Sequence, residues 1–232
     1  MGNRTLVIGM IAMLGATSLP AQGSMSSLSS GSFGGTGIPT ESVVVTDYGD
    51  GAVILGLSAH TRCQSGSLSY ATCDMPGAVT NDGVNRFFVM AGGNTIVPTP
   101  GGTADGTLAR WNFNFYIGGT DKASYAYKLL YDFNPEVGNA PAQGGAYSLV
   151  YGSANSWNLG FSFLDQNGAT APNFDPTAEG EYRFRLEAYD QGQQMVAYSE
   201  MNVSTVPEPS TYLLMATGLL GLLVAHRRRR NA

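Results

Sequence analysis

Two cysteines carry the most reactive side chains of this chain, and they lie close together in the sequence. Cys63 and Cys73 are the only cysteines among the 232 residues. In an oxidising compartment they are expected to form a disulfide that closes a short loop and contributes about 2–3 kcal/mol to stability. The alternative is a pair of free, buried thiols. A catalytic thiol needs a neighbouring base, and His60 is the only histidine outside the C-terminal tail, so a Cys63–His60 dyad is disfavoured.

Carboxylates are the other groups that could do chemistry. Asp47, Asp50, Asp82, Asp105 and Asp121 lie in predicted turns, where aspartates of secreted sandwiches can hold Ca²⁺. Their spacing does not match a calcium-binding loop, so we predict solvated turn residues and neither a metal nor another cofactor. One histidine outside the tail and two thiols are too few for a zinc site.

No combination of residues predicts an enzyme. The sequence lacks a Ser/His/Asp motif, a Gly-rich phosphate loop after a strand, and a pair of carboxylates suited to glycoside hydrolysis. The 31 glycines are spread through predicted turns. We therefore predict that the protein is not an enzyme.

The charge of the chain is low and unevenly distributed. Charged residues make up 12% of the sequence, about half the usual quarter, and the formal net charge is −5. Residues 23–206 alone hold 7 basic and 16 acidic side chains, a net charge of −9. Such an acidic body cannot neutralise phosphates, so DNA and RNA are excluded as expected partners.

The N-terminus has the pattern of an export signal. Arg4 and the free amine give a positive start, residues 6–14 are apolar, and small residues follow. We predict a signal peptide with a helical segment over residues 1–23, cleaved after Ala21 or Gly23. Residues 24–40 are rich in Ser and Gly and predict a flexible leader, with order beginning near Glu41.

The C-terminus has the pattern of a short membrane anchor. Residues 212–225 are apolar, and four arginines follow: Arg227, Arg228, Arg229 and Arg230. At about 1.5 Å per residue the apolar run is shorter than a hydrocarbon core of about 30 Å. We predict a single membrane helix over residues 211–226, completed by snorkelling, with the arginines as a cytoplasmic stop. Pro207 and Pro209 keep the preceding residues extended on the outer side.

The three parts of this tail resemble a known sorting signal. Val206-Pro207-Glu208-Pro209, a short Leu/Gly/Ala-rich helix and a terminal arginine run are similar to the PEP-CTERM signal of exported proteins in Gram-negative bacteria. The resemblance covers residues 206–230. It implies that Pro207, Glu208 and Pro209 form the recognition motif of an exosortase, a membrane-embedded cysteine transpeptidase.

The same resemblance implies a location and a process. The precursor is expected to be exported and held at the inner membrane by its C-terminal helix. After processing it is expected to reach the cell surface or the extracellular matrix, in association with exopolysaccharide and biofilm formation.

The body, residues 41–205, alternates apolar and polar residues with a period of two. In the clearest strand, Tyr182 and Phe184 share one side and Arg183 and Arg185 the other, and a turn at 190–193 leads into a second strand of a hairpin. Similar patterns predict strands within residues 42–46, 52–58, 86–91, 111–117, 125–133, 146–150 and 159–163. Many short strands between Gly- and Pro-rich turns predict an all-β protein, an antiparallel β-sandwich of immunoglobulin-like or jelly-roll type.

The body also has a weak resemblance to immunoglobulin-like bacterial surface domains. It is carried by Gly180-Glu181-Tyr182-Arg183-Phe184, with Tyr182 at the position of a tyrosine corner.

These features predict an exported, non-enzymatic surface or matrix protein. Its expected partners are an exosortase-like transpeptidase, the inner membrane and exopolysaccharide. The alternative is a carbohydrate-binding module attached by the same tail, in which Tyr116 and Tyr189 would be the outward-facing aromatic residues that stack on sugar rings.

Overall fold

The computed structural model describes residues 19–29, 32–33, 38–62, 79–93, 108–136, 145–150, 154–164 and 174–207, together with 215, 217–222 and 226–227 of the tail. Twelve strands lie within these ranges: β1 (Ala21–Gln22), β2 (Ser24–Ser26), β3 (Val43–Tyr48), β4 (Val53–Thr61), β5 (Thr80–Asn81), β6 (Arg86–Met90), β7 (Trp111–Gly118), β8 (Ala126–Tyr131), β9 (Gly145–Leu149), β10 (Ala154–Trp157), β11 (Gly180–Tyr189) and β12 (Met195–Val206). Two short 3₁₀ helices cover Lys122–Ser124 and Ser162–Leu164.

The larger sheet has seven strands. Six follow the order β5-β6-β12-β11-β8-β9, and β1 pairs with β12 on the same edge as β6. β12 runs antiparallel to β11 but parallel to β6 and to β1. The predicted antiparallel sandwich is therefore confirmed in part: the sheets are mostly antiparallel, but β12 pairs in parallel with β6 and β1. A period-two pattern indicates the buried face of a strand but not its neighbour.

The smaller sheet has five strands in the order β10-β7-β4-β3-β2, and all its pairings are antiparallel. β4 and β7 form its centre and are paired from Ile54 and Gly118 to Thr61 and Trp111. The smaller sheet therefore agrees with the antiparallel arrangement that the sequence predicts.

Aromatic residues from the two sheets meet in one core. Trp111 and Phe113 of β7 lie against Tyr182 and Phe184 of β11, and the Phe113 and Phe184 ring centroids are 4.7 Å apart. All four side chains are at most 2% exposed. The sheets thus pack face to face, and the body is β-sandwich-like, as the alternating pattern predicts.

The predicted hairpin is β11 and β12. Their register runs from Gly180 opposite Thr205 to Ala188 opposite Ala197, followed by an irregularity before the turn. The Asp190 side chain accepts a hydrogen bond from the Gln194 amide at 2.9 Å and closes the turn. The hydroxyl of Tyr182 lies 3.5 Å from the Asp175 carbonyl oxygen, a contact of the tyrosine-corner kind.

The predicted strand over residues 159–163 is wrong. β10 ends at Trp157, and a turn followed by the 3₁₀ helix Ser162–Leu164 takes the place of that strand. The Asn158 side-chain oxygen accepts a hydrogen bond from the Gly160 amide at 3.1 Å. This side-chain turn competes with strand pairing and explains why the chain bends there.

Ordered structure begins before Glu41, where the sequence analysis placed its start. Ser24–Ser26 of the predicted flexible leader forms β2 at the edge of the smaller sheet. Further along, Phe33 is 2% exposed and contacts the ring of Tyr116 edge-on. A few apolar residues within the Ser/Gly-rich stretch are enough to hold parts of it on the sheet.

The two ends of the body differ in the length of the connections between their strands. The turns β3–β4, β7–β8 and β11–β12 lie at one end, where the Thr120 amide donates to the Gly51 carbonyl. The opposite end, from which β12 leads to the tail, is called here the tail end. The longest connections begin and end there: 27–42, 62–79, 91–110, 132–144 and 158–179. The longest connections therefore join strand ends at the same end of the body as the base of the tail.

Met215, residues 217–222 and residues 226–227 are helical. Within the part of the chain that the structure describes, no helix has the length and apolar character needed to cross a membrane. Residues 1–18 of the predicted signal peptide lie outside the described residues.

Replacing Phe184 with Ala should reduce the free energy of unfolding by about 3–5 kcal/mol, because the substitution leaves a cavity between two aromatic rings of the facing sheet. Urea denaturation monitored by tryptophan fluorescence measures this loss. Val84→Ala, at a position that is 64% exposed, is the control and should change stability by less than about 0.5 kcal/mol. Equal effects of the two substitutions would contradict the packing described.

Candidate functional site

The residues that lead into the tail are held in the larger sheet up to Val206, the last residue of β12. Val206 pairs with Met90 of β6, and its carbonyl oxygen accepts a hydrogen bond from the Ala91 amide at 2.9 Å. One residue earlier, the Thr205 hydroxyl oxygen accepts a hydrogen bond from the Gly180 amide at 2.9 Å. β12 is therefore fixed on both edges where the body ends.

Pro207 follows immediately and is partly buried. It has no amide hydrogen, so it cannot donate to a sheet and the pairing of β12 ends before it. Glu208 and Pro209 lie outside the described residues. The predicted recognition motif thus begins at the residue after the sheet, with no spacer between the motif and the folded body.

The described part of the tail helix is apolar and exposed. Met215, Leu219, Leu220 and Leu222 are 56–69% exposed, although all are apolar. A Cβ added at Gly218 would meet nothing within 4 Å. These side chains are available to an apolar environment outside the body, such as lipid.

The arginines that follow are described only in part. Arg227 is helical and exposed. Arg228, Arg229 and Arg230 lie outside the described residues, so the predicted cytoplasmic stop stays a prediction.

A buried layer of polar side chains lies on the outer face of the smaller sheet. This polar layer consists of Ser58, His60, Asn112, Asn114 and Ser156. The Asn114 amide donates to the Ser58 hydroxyl at 2.9 Å, and the Asn112 amide donates to the Ser156 hydroxyl at 3.0 Å. Ser58, His60 and Asn114 are at most 3% exposed, so this face of the sheet is covered.

Burial changes the proton affinity of His60. Its pKa is lowered from 6.5 to about 4, mainly by desolvation; a hydrogen bond with Asn114 opposes the shift, and the charge of Arg62 adds to it. His60 is therefore neutral at physiological pH and is a structural member of the polar layer. Cys63, its partner in the disfavoured dyad, lies outside the described residues, as does Cys73, so the predicted disulfide stays a prediction.

Asn158 joins the polar layer to the start of β7. Its side-chain nitrogen lies within 3.0 Å of the carbonyl oxygens of Ala109 and Trp111 and of the Asn112 side chain. Its side-chain oxygen accepts hydrogen bonds from the amides of Ala109 and Gly160. A fully buried amide thus satisfies backbone groups on two segments of the tail end.

Charged side chains of opposite sign lie together on the outer face of the larger sheet. Glu200 contacts both Arg183, at 3.1 Å, and Arg185, at 2.6 Å, and Arg185 is 3.7 Å from Glu187. The positive and negative charges within these ion pairs neutralise one another. Four basic residues of the body lie on this face: Arg183, Arg185, Arg86, which is 2.7 Å from Glu181, and Lys128, which lies beside Tyr189.

The two aromatic residues proposed for sugar stacking are already in contact with other side chains. The Lys128 ammonium lies 4.9 Å from the ring centroid of Tyr189, whose hydroxyl donates to Glu187 at 2.5 Å. Burial and this hydrogen bond raise the pKa of Tyr189 to about 12. Tyr116, on the outer face of the smaller sheet, meets Phe33 at 6.1 Å between ring centroids.

The turn aspartates accept hydrogen bonds from the backbone. Asp82 accepts from the amides of Val84, Asn85 and Arg86, which lowers its pKa, and Asp47 accepts from Gly51. Asp121 accepts from the hydroxyl of Ser124 at 2.6 Å, and Asp50 occupies a left-handed turn position with φ of 52°. Asp105 lies outside the described residues. Across the described ranges, no group of three or more His, Cys, Asp or Glu side chains is placed to hold a metal ion.

A β-sandwich-like body with a motif directly at its C-terminal edge defines a sorted, tail-bearing protein. Residues 205–230 match the PEP-CTERM protein-sorting motif, which confirms the resemblance seen in the sequence. The motif indicates an exported protein that is processed by exosortase, a membrane enzyme. The comparison with curated proteins and the comparison with solved structures found no match for this chain.

Sequence reasoning missed Asn158 and the polar layer. Asn158-Leu159-Gly160 does carry the signal of a turn, an Asn followed two residues later by Gly at the end of an aromatic strand. The polar layer has no such signal, because polar residues that alternate with apolar ones normally indicate a solvent-exposed face.

Asn158→Asp should lower the free energy of unfolding by about 3 kcal/mol, since a carboxylate cannot donate to the backbone oxygens it would face. Asn155→Asp is the matched control, because Asn155 is exposed and only accepts a hydrogen bond, from the Ser156 amide. The difference between the two denaturation midpoints is the measurement. A smaller effect for Asn158→Asp than for Asn155→Asp would contradict the described role.

His60 should make the body less stable in acid. The unfolded chain binds a proton near pH 6.5 and the folded chain only near pH 4, so stability falls as the pH decreases through this window, by about 3 kcal/mol for this residue. Between pH 7 and pH 4.5, the free energy of unfolding should decrease less for His60→Gln than for the original protein, as measured by denaturation at both pH values. His226→Gln, in the tail, should keep the original loss, and equal losses for all three proteins would exclude this role of His60.

Proposed function

We propose that this protein is an exported, non-enzymatic component of the cell surface or extracellular matrix, delivered by an exosortase-type system. The observation that carries the proposal is the PEP-CTERM motif over residues 205–230, placed where β12 ends. The Gram-negative cell surface and an exopolysaccharide matrix are the location and the partner that fit this route. The sandwich is the cargo, and the tail determines where it is released.

The predicted recognition motif follows β12 without a spacer, and this determines how an exosortase must approach the precursor. Because Val206 is still bonded to Ala91, the predicted recognition motif begins, at Pro207, directly after the last paired residue of the body. A membrane-embedded transpeptidase that reads this motif must approach the tail end or receive a chain whose last strand has opened. In the first case the tail end of the body faces the membrane before processing.

The tail helix supports attachment of the precursor to the membrane. Its apolar residues, among them Leu219 and Leu222, are exposed, and none of the described residues of the body covers them. We place residues 211–226 in the membrane, with the arginines at 227–230 on the cytoplasmic side by the positive-inside rule. The predicted N-terminal signal supplies the export step.

The surroundings of His60 support the part of the proposal that the protein is not an enzyme. This residue is buried and neutral among Ser58 and Asn114, an environment that suits a structural side chain. The carbohydrate-binding alternative gains no support from Tyr116 or Tyr189, whose rings contact Phe33 and Lys128, and it is not part of the proposal.

Replacing Pro207, Glu208 and Pro209 together with Ala should prevent processing. In a host that has an exosortase, the original protein should lose its tail, and the alanine variant should accumulate in the inner membrane with residue 230 present. Membrane fractionation and mass spectrometry of the C-terminus measure both outcomes. Gln191→Ala, in the turn at the opposite end of the body, is the control and should be processed normally.

Deletion of residues 227–230 provides a second test of the same tail. Without the arginines the helix should no longer stop in the membrane, and the precursor should be mislocalised. If the original mature protein still carries Arg230, and the alanine variant fractionates in the same way, the tail is a plain anchor and the sorting proposal fails.

A further inference from the structure

The chain passes from one sheet to the other at Gly23. Ala21 and Gln22 pair with Ala197 and Tyr198 of β12 in the larger sheet, whereas Ser24 already pairs with β3 in the smaller sheet. The Gly23 amide donates to the Tyr198 carbonyl oxygen at 3.1 Å. One residue thus spans the seam between the two sheets.

The seam leaves no room for a side chain at position 23. A Cβ built there would lie 2.6 Å from the Thr46 hydroxyl oxygen and 2.9 Å from the Ser199 hydroxyl oxygen. These two hydroxyls are buried and hydrogen-bonded to each other at 2.8 Å. Thr46 also donates to the Tyr198 carbonyl oxygen at 2.8 Å, so neither hydroxyl can move away without losing a partner. Glycine is required here for close approach, although its backbone is not in the left-handed region.

This geometry bears on where an export signal is removed. The sequence leaves two bonds open, after Ala21 and after Gly23. Cleavage after Gly23 would remove the strand pairing of Gln22 and the hydrogen bond from Gly23 to β12. Cleavage after Ala21 keeps both, and it places the new ammonium group on Gln22, which is exposed and solvated.

We propose that the Ala21–Gln22 bond is the signal-peptide cleavage site and that Gln22-Gly23 of the mature chain closes the seam between the sheets. The proposal rests on the proposed function, since it requires that the chain be exported. Ala21 supplies the small residue that signal peptidases read before the cut bond. Processing and folding are then linked, because the residue that completes the larger sheet becomes the mature N-terminus.

The test is N-terminal sequencing and intact mass of the full chain recovered after export. A mature protein that begins at Gln22 is the expected result. One that begins at Ser24, or at any other residue after export, overturns the proposal while leaving the proposed function intact. A chain that keeps Met1 and stays in the cytoplasm overturns the proposed function, and with it this inference.

The thermal stability of the mature chain provides an independent test of the roles given to Gln22 and Gly23. The signal sequence can be joined so that the exported chain begins at Gln22 in one version and at Ser24 in the other. The version that begins at Gln22 should match the natural protein, and the other should have a Tm lower by about 3 °C or more, because it lacks the hydrogen bonds to β12. Equal Tm values would overturn the role given to Gln22 and Gly23.

Substitutions at the seam provide matched controls. Gly23→Ala should lower the Tm by a similar amount, since its Cβ would collide with two buried hydroxyls. Gly192→Ala, in the β11–β12 turn, would meet only the Asp190 carboxyl group, at 3.2 Å, and should have a smaller effect. The reverse order of the two effects would contradict the packing at the seam.

Discussion

The pairing of β12 on both of its edges is the constraint on which the rest of the structure depends. β11 lies on one edge, and β6 and β1 occupy successive parts of the other edge. β12 therefore carries the inward residues that meet the smaller sheet, accepts the N-terminal segment, and ends against the sorting tail. Because Pro207 has no amide hydrogen, the pairing of β12 ends at Val206.

The N-terminal segment of the body and the base of the tail thus belong to the same part of the larger sheet, the strand β12 and its neighbours. The segment at Ala21–Gln22 lies beside Ala197 and Tyr198, near the beginning of β12, and the tail leaves from its end. The length of one strand separates the N-terminal segment from the base of the tail. The long connections begin and end at strand ends on the tail end of the body.

Polar groups stabilise both sheets in different ways. On the larger sheet, Glu200 lies between two arginines at a surface that solvent reaches, so each ion pair contributes little alone. On the smaller sheet, Asn114 and His60 are buried, where an unmet hydrogen bond costs far more. This is why the polar layer and Asn158, rather than the charged face, are expected to control stability.

The sequence by itself determined the strands with clear alternation, the β11–β12 hairpin and the sorting motif, because these depend on local spacing and on residues adjacent in the chain. Only the tertiary structure decided what distant residues do together: the parallel pairing of β6 with β12, the burial of His60, and the requirement for glycine at position 23. A strand pattern shows which side faces a core, but its neighbour is chosen by how the whole chain packs. Polar residues on the other side look solvent-exposed until another segment of the chain covers them.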